Sequence, residues 1–243
     1  MAYCQLITVV IALEMSQQKI LDVEDINHLL EQNSLPPFGA RNAALIISGV
    51  CWGLSPLEQS LVAIEDVMAS NGEFYKIWTL PAAHSFNGEA REIYTEDHVV
   101  PFFEVYADYL TDQALIQSNL AAYRGFDPSA KLFVNDKGTR YALTVRKTDS
   151  STNKVSYQPR SMTEQLKRML ARTNLYGSTP ASLRDSYIKG LYDNGAGWED
   201  LKRTTGIKHK KSLEKKVRPH ERELKTVLAS MFSKVKNPFD LIK

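Results

Sequence analysis

The spacing of apolar residues predicts helices in the first part of the chain. A helix over 22–31, with Asp22 available as its N-cap, follows from four apolar residues at helical spacing, Val23, Ile26, Leu29 and Leu30. The segment 41–50 is dense in Ala, Leu and Ile and predicts a second helix, with Gly53 well placed as its left-handed stop. Ser55 opens a third helix through a capping box with Glu58. The helical pattern returns over 98–110.

Short apolar segments predict a small sheet in the middle of the chain. Four segments have strand character: 74–80, 90–95, 131–134 and 141–145. The first two flank a turn at Asn87-Gly88, and the last two surround Asp136-Lys137-Gly138. The polar stretch 147–159 is expected to be an exposed loop. Four helices are then predicted, over 162–172, 180–193, 198–205 and 220–235. This order indicates an α+β fold that is mostly helical, with a small antiparallel sheet.

Charge is distributed unevenly along the 243 residues, although the formal net charge is only +2. Residues 1–145 carry 8 Lys and Arg against 18 Asp and Glu, whereas residues 146–243 carry 22 against 10. A basic half indicates a polyanionic partner, because each Lys or Arg near a phosphate releases condensed counterions. The alternative is a solvated, charged helical face.

Cysteine usage and hydropathy bear on the compartment. Cys4 and Cys51 provide neither a disulfide framework nor a metal site, so we expect a reducing cytoplasm. The apolar segment 6–13 is too short to span a bilayer and lacks the features of a signal peptide, so we expect no membrane partner. It remains open whether this segment is a buried strand, a partner-binding edge, or sequence upstream of a natural start at Met15.

Three segments occur in an order that points to one family. Arg41-Asn42 precedes an apolar helix and then Gly53-Leu54-Ser55-Pro56-Leu57-Glu58, Ala181-Ser182-Leu183-Arg184-Asp185 opens a later helix, and Thr205-Gly206-Ile207 follows it. From about Val23 to Val235 the chain resembles the catalytic domain of tyrosine recombinases, the phage-integrase family. That family writes the three segments as Thr-Gly-Leu-Arg-x-x-Glu, His-x-Leu-Arg-His and Leu-Gly-His.

The resemblance implies a division of the chain. Residues 1–21 form an N-terminal extension, residues 22–235 an integrase-like domain with an acidic half (22–145) and a basic helical half (146–235), and residues 236–243 a tail. Recombinases also clamp DNA with a separate N-terminal domain of roughly a hundred residues, for which this chain has no room. We therefore expect contact with one face of the duplex and tight binding that depends on oligomerisation.

The resemblance also implies a degenerate active site. The first catalytic arginine falls on Ser55, the two histidines fall on Ala181 and Ile207, and the tyrosine nucleophile falls on Lys216. Arg184 alone is retained. The hairpin lysine is absent from 77–90, where His84 is the only nearby candidate cation, and no tyrosine follows Tyr192.

These losses remove the chemistry that the family uses. Two arginines and a histidine hold the scissile phosphate there, a lysine protonates the leaving 5′ oxygen, and the tyrosine attacks. Loss of one such donor costs roughly 100- to 1000-fold in rate, and loss of the nucleophile abolishes the covalent step. Lys216 cannot substitute, because a surface lysine stays protonated near neutral pH. We therefore expect a catalytically inactive scaffold with no cofactor. We also expect no metal site, because His209 and His220 lack partners at the spacing of metal ligands.

DNA contacts are expected from the basic half. Arg184 is predicted to bind a phosphate from the first turns of its helix, with surface pairing to Asp185 or Glu199 as the alternative. Eight Lys and Arg lie within the 17 residues 202–218, and a further group lies on the helix that faces the major groove in the resembling family. The predicted DNA-binding residues are Lys167, Arg168, Arg172, Arg184, Lys202, Arg203, Lys208, Lys210, Lys211, Lys215 and Lys216.

Three hypotheses of function follow. The first is a DNA-binding protein on a recombinase scaffold that acts as a transcriptional regulator, or as an accessory to an active recombinase, of a mobile element or phage. The second is an active integrase with its nucleophile relocated to Tyr187 or Tyr192 or supplied by a partner. The third is a module that binds an acidic protein. The apolar tail 231–242 indicates either homo-oligomerisation or packing on its own domain.

Overall fold

The computed structural model describes residues 18–147 and 155–217. Helices α1 (Val23–Asn33), α2 (Gly39–Val50), α3 (Pro56–Leu61) and the single turn α4 (Ile64–Val67) come first. Strands β1 (Ile77–Leu80) and β2 (Arg91–Tyr94) precede α5 (Val100–Asp112), and strands β3 (Thr144–Lys147) and β4 (Val155–Gln158) follow it. The chain then forms α6 (Arg160–Ala171), α7 (Pro180–Asp193), α8 (Trp198–Thr205) and α9 (Lys210–Val217). The predicted α+β class, mostly helical with small antiparallel sheets, is confirmed.

Two of the helix starts follow capping residues of the sequence. Asp22 caps α1 by accepting a hydrogen bond from the Asp25 amide at 2.8 Å. Ser55 caps α3, with its Oγ 3.4 Å from the Glu58 amide and its own amide 2.8 Å from Glu58 Oε2. Because each cap satisfies an amide that has no partner within the helix, these starts were predictable from local sequence alone.

The sheets are two separate antiparallel hairpins. In the first, Ile77 pairs with Tyr94 and Leu80 with Arg91, and the connection includes a 3₁₀ turn at Ala82–His84. In the second, Thr144 pairs with Gln158. The segment 131–134, which we predicted as a strand, is not one, and the predicted strand 141–145 appears as 144–147. Its partner strand, 155–158, lies in the stretch 147–159 that we expected to be an exposed loop. The segment 131–134 forms isolated bridges from Lys131 to Ala63 and from Val134 to Arg140, while strand 144–147 pairs with the later segment.

Two apolar clusters hold these elements together. The larger one joins α1, α2, α5, α6 and the first hairpin around Trp52, whose ring stacks on Phe103 at 3.9 Å between centroids. The smaller one joins α7, α8 and α9 through Ile188, Leu201, Leu213 and Val217. The sequence did not lead us to predict α9, although Leu213 and Val217 have the i, i+4 spacing of a buried helical face. The predicted helix 220–235 and the apolar tail lie outside the described residues.

None of the helices within 18–147 and 155–217 is both long enough and apolar enough to cross a bilayer. The same ranges contain no group of three or more His, Cys, Asp and Glu residues arranged to hold a metal ion.

Candidate nucleic-acid interface

The recombinase-like motifs meet around one buried carboxylate, that of Glu58. Its side chain is fully buried and accepts hydrogen bonds from the amides of Ser55 and Phe86, at 2.8 and 3.2 Å. The guanidinium groups of Arg91 and Arg184 approach the same carboxylate. Ser55, at the position predicted for the first catalytic arginine, is thus a helix cap beside Glu58.

Arg184 extends from α7 into this cluster and is only 9% exposed. Its Nη2 donates to the backbone oxygen of Thr205 at 2.5 Å, and its Nη1 lies 3.7 Å from Glu58 Oε2. Burial lowers the pKa of Arg184, while the charge of Glu58 opposes that effect. We had considered surface pairing of Arg184 with Asp185 or Glu199, but its ion-pair partner in the structure is Glu58. Arg184 therefore connects α7 to the end of α8.

Arg91 is a site residue that the sequence analysis missed. It begins β2, is 6% exposed, and donates from Nη1 to Glu58 Oε1 and from Nε to the Thr204 oxygen at 3.1 Å. The available signal was its isolation, since Arg91 is the sole Lys or Arg between Lys76 and Arg124. A lone arginine at an inward position of a strand indicates a buried ionic contact.

Lys216, the predicted nucleophile position, forms an ion pair with Asp185. Lys216 Nζ on α9 lies 2.5 Å from Asp185 Oδ1 on α7, and Gln18 Nε2 donates to the other carboxylate oxygen at 2.8 Å. The residue that follows the retained arginine and the residue at the nucleophile position therefore bind each other. The two histidine positions carry no polar side chain: Ala181 is exposed, and Ile207 packs against the smaller cluster.

A lysine reaches the first hairpin from another segment of the chain. His84 Nδ1 lies 2.7 Å from Asp66 Oδ2, and His84 Nε2 lies 3.1 Å from Lys131 Nζ. Burial lowers the pKa of Lys131, against the charges of Asp66 and Glu65. The motif pointed to His84 as the sole nearby candidate cation and gave no sign of Lys131, which is 47 residues away in the chain.

Two basic residues at the end of α6 face a polar cavity of about 430 Å³. Arg168 and Arg172 both line it, so their predicted common face is confirmed. Arg41 lies at its base and bonds Asp136 Oδ1 at 2.6 Å, while Arg168 lies 3.5 Å from the other oxygen. Arg172 donates to Asn33 Oδ1 at 3.0 Å. Lys167, also on α6, pairs with Glu164 at 2.9 Å.

The remaining predicted cations lie in residues 198–217, which we call the basic segment. It contains seven Lys and Arg against three Asp and Glu. Its ion pairs within the described ranges join Lys202 to Glu199, Arg203 to Asp200, Lys208 to Glu89, Lys210 to Glu214 and Lys216 to Asp185. Lys211 and Lys215 are exposed and form no ion pair with another residue in those ranges. Lys202, Arg203 and Lys208 line a cavity of about 500 Å³ against β2.

The alternative nucleophiles are held by packing. Tyr187 contacts Gly53, whose φ of +61° and close approach to the ring leave no room for a side chain. Burial raises the pKa of Tyr187, against a hydrogen bond with Thr204. The ring of Tyr192 packs on Trp198, with centroids 5.3 Å apart.

Several solved structures that resemble this chain are tyrosine recombinases. The chain superimposes on XerA recombinase with a TM-score of 0.61 over 91% of its length at 14% identity. It matches XerH site-specific recombinase bound to a palindromic difH substrate with a TM-score of 0.56 over 86% of its length at 16% identity. It matches the Tn1549 transposon integrase in complex with transposon right-end DNA with a TM-score of 0.52 over 88% of its length at 10% identity. The chain spans 66%, 52% and 66% of these three structures, respectively.

These similarities establish the fold. The described chain has the fold of a tyrosine-recombinase catalytic domain, as the motifs predicted. No protein-family model matches the sequence. No curated protein matches it either.

Proposed function

We propose that this chain binds double-stranded DNA on a tyrosine-recombinase scaffold and does not cleave it. The observation that carries the proposal is the ion pair between Lys216 and Asp185, 2.5 Å apart. The group at the predicted nucleophile position is the amine of Lys216, paired with a carboxylate, and it does not provide the hydroxyl that attacks the phosphodiester in this family. Breaking the ion pair to free the amine would cost energy, because the Asp185 carboxylate would lose its partner.

The basic segment supports DNA binding. Five of its seven cations are available to phosphates: Lys211 and Lys215 form no ion pair within the described residues, and Lys202, Arg203 and Lys210 pair with residues three or four apart. Such pairs contribute only about 0.3–0.5 kcal/mol each, so a phosphate can replace the acidic partner. Two structural neighbours were solved with DNA bound, which is consistent with this use of the fold.

The buried arrangement around Glu58 supports the absence of cleavage. Ser55 is committed to a helix cap and offers no cation, and Arg184 donates to a backbone oxygen and faces Glu58. Tyr187, the nearest tyrosine to Arg184 in α7, has a raised pKa through burial, which disfavours the phenolate that a nucleophile needs. Two roles fit binding without cleavage: a transcriptional regulator of a mobile element or phage, or an accessory to the active recombinase of such an element.

Fluorescence anisotropy tests the proposal. The protein is titrated onto a labelled duplex from the neighbourhood of its own gene and onto a scrambled duplex, at several salt concentrations. Six to ten phosphate contacts reduce affinity about 1000- to 100,000-fold between 50 and 200 mM salt. Steep salt dependence with a preference for the native duplex supports sequence-reading DNA binding. Absence of binding to either duplex overturns it and favours an acidic protein partner.

Charge variants locate the interface. The double variant Lys211→Ala/Lys215→Ala removes two exposed cations of the basic segment, and the matched control Lys76→Ala/Lys137→Ala removes two exposed cations of the acidic half. Each lost phosphate contact lowers the slope of log affinity against log salt by about one. We expect the magnitude of this slope to be smaller by about two in the first variant and unchanged in the control. Equal slopes would place the DNA elsewhere on the protein.

A further inference from the structure

An apolar groove of about 680 Å³ lies between α1, the end of α2, the end of β2 and α7. It is separate from the cluster around Glu58 and from the basic segment, neither of which contributes to its walls. The walls carry apolar and aromatic side chains from each of the four elements or their flanks, including Ile20, Ile26, Val50, Tyr94, Val99 and Leu191. Grooves with such walls bind apolar ligands or segments of polypeptide.

Apolar side chains at the edge of this groove are exposed. Val23, in the first turn of α1, is 72% exposed, and Tyr94 is also exposed. Ile77, which pairs with Tyr94 across the first hairpin, is 57% exposed. Because Val23 and Tyr94 line the groove and Ile77 adjoins Tyr94, the apolar surface continues from the groove onto the hairpin. An exposed apolar surface of this kind marks a site of contact with another chain segment or molecule.

Gly190 leaves open space on the α7 side of the groove. It lies in the interior of α7, where glycine is less stabilising than alanine. A Cβ at this position would meet no atom of the described residues within 4 Å, apart from its chain neighbours and the backbone of its own helix. Crowding within the described chain therefore does not require a glycine here. The bare backbone instead permits another segment to approach α7 closely.

The N-terminal part of the chain reaches the groove along α7. Gln18 Nε2 donates to Asp185 Oδ2 at 2.8 Å, and the Leu21 amide donates to Ser186 Oγ at 2.7 Å. Ile20 and Leu21 line the groove, as does Ser186. The residues that precede Gln18 therefore start beside the end of the groove at which Ser186 lies.

The composition of the apolar segment 6–13 suits this groove. The segment contains no charged residue, and residues 7–11 are five consecutive β-branched residues. A run of β-branched residues favours an extended chain, whose alternate side chains point to opposite sides. An extended apolar segment can therefore place one row of side chains in the groove. Burial of that row removes apolar surface from water, both on the segment and on the groove walls.

The connection between the segment and Gln18 is long enough for docking within one chain. Four residues, 14–17, separate the two. When extended at about 3.3–3.6 Å per residue, this connection reaches roughly 17 Å. The part of α7 that lines the groove, residues 186–193, rises by roughly 10 Å at 1.5 Å per residue. The segment can therefore reach any point along the groove without help from a second copy.

We propose that the segment 6–13 of the same chain docks in this groove, with its apolar side chains against α1 and α7 and its backbone over Gly190. Docking covers the exposed side chains of Val23 and Tyr94. The C-terminal tail is a less suitable occupant, because it follows α9, which contributes no residue to the groove. Of the three possibilities that the sequence leaves open for the segment, the groove favours burial against its own domain.

Photo-crosslinking from within the segment tests the docking. p-Benzoylphenylalanine is incorporated in place of Val10 in the full chain, and the irradiated products are separated on a denaturing gel and digested for mass spectrometry. We expect intramolecular cross-links to peptides that contain 20–26, 50–51 or 186–194. The same amino acid in place of Val145, an exposed valine of β3 outside the groove, should give no cross-link to these peptides.

Filling the groove provides a second arm of the test. Gly190→Leu places a side chain in the open space and replaces glycine by a better helix former, so we expect the variant to fold. The yield of cross-links from position 10 to 186–194 should fall at least tenfold. Ala181→Leu is the matched control, because Ala181 is an exposed residue of the same helix outside the groove, and it should leave the yield unchanged.

Cys51 labelling gives a measurement without the cross-linker, because Cys51 lines the groove. In a Cys4→Ser background, Ile11→Asp should raise the rate of iodoacetamide labelling at Cys51 at least fivefold, whereas Ser16→Asp should not. If Ile11→Asp shows no cooperative urea transition, the variant is unfolded and cross-linking decides alone. The inference is overturned if position 10 gives no cross-link to the groove, if its cross-links join two copies or reach only the C-terminal tail, or if Gly190→Leu leaves their yield unchanged.

Discussion

Lys216 Nζ lies 2.5 Å from Asp185 Oδ1, so the residue at the predicted nucleophile position is bound to the residue that follows the motif arginine, Arg184. This contact links α9 to α7 across 31 residues of sequence. The motif resemblance predicts catalytic groups at both positions, and here the two side chains form an ion pair instead. The account of the protein as a DNA binder without cleavage activity depends on this relationship.

The first prediction concerns the stability provided by this tie. Lys216→Met leaves the Asp185 carboxylate, whose side chain is 11% exposed, with Gln18 as its remaining side-chain donor. We expect the free energy of unfolding to fall by about 1–2 kcal/mol, a discounted value because Lys216 is partly exposed. Urea unfolding of both chains measures this difference in the free energy of unfolding. Lys215→Met, at an exposed neighbouring position, should change stability by less than about 0.5 kcal/mol. Equal stabilities of the two variants would contradict the tie.

The second prediction concerns Arg184 as a buried contact. Arg184→Met removes the donor to the Thr205 oxygen and one of the two cations at Glu58. We expect a loss of about 2–4 kcal/mol in the free energy of unfolding, because a buried acceptor and part of a buried charge are left unpaired. Arg203→Met removes an exposed arginine of α8 and serves as control. A similar small effect for both variants would show that Arg184 is not buried in solution.

The third prediction concerns acid stability. Burial by itself raises the pKa of Glu58, but the hydrogen bond and charge of Arg91, with the charge of Arg184 and the Ser55 amide, hold the pKa below its ordinary value. A carboxylate with a lowered folded-state pKa stabilises the protein above its unfolded pKa of about 4.3. That contribution is lost as the pH falls from there through the folded-state pKa.

Glu58→Gln tests this pH dependence. The unmodified chain should be more stable than the variant at neutral pH, and the difference should shrink as the solution is acidified below about pH 4. Urea unfolding across the acid range gives both curves. Parallel curves would mean that Glu58 does not contribute to the acid transition. If the variant does not fold, the acid midpoint of Arg91→Lys, in which the same carboxylate is less well paired, should lie at higher pH than that of the unmodified chain.

The fourth prediction concerns the Cys51 thiol. Burial raises its pKa to about 11, so little thiolate is present near pH 8. The thiolate is the reactive form, and we expect alkylation roughly 100-fold slower than for an ordinary exposed thiol. Iodoacetamide labelling followed by mass spectrometry, in a Cys4→Ser background, gives the rate. Labelling at the rate of the urea-unfolded chain would show that Cys51 is exposed.

Local sequence was sufficient to predict where several of the helices begin and end. Two later helices, α7 at Pro180–Asp193 and α8 at Trp198–Thr205, have the bounds that the turn signals predicted. The cap of α3 at Ser55 was predicted for the same reason. In each case the determinant is a residue within one turn of the helix end, so no knowledge of tertiary contacts was required.

Contacts between distant segments were not predictable in the same way. Strand 144–147 pairs with 155–158, which the sequence indicated to be loop, whereas 131–134 forms isolated bridges. Such pairing depends on packing and not on strand propensity alone. Arg91 and Lys131 enter the site from segments that no motif covers. The motif frame located Ser55, Arg184 and Lys216, but the partner that each one binds became evident only from the fold.

The central claim is tested most directly with a nicked suicide duplex, which traps a covalent recombinase–DNA intermediate when one forms. The protein is incubated with this duplex under conditions where anisotropy shows binding, and the products are separated on a denaturing gel. The account predicts a noncovalent complex on a native gel and no denaturant-resistant adduct. A covalent adduct that maps to Tyr187 or Tyr192 would contradict it and establish an active recombinase with a relocated nucleophile.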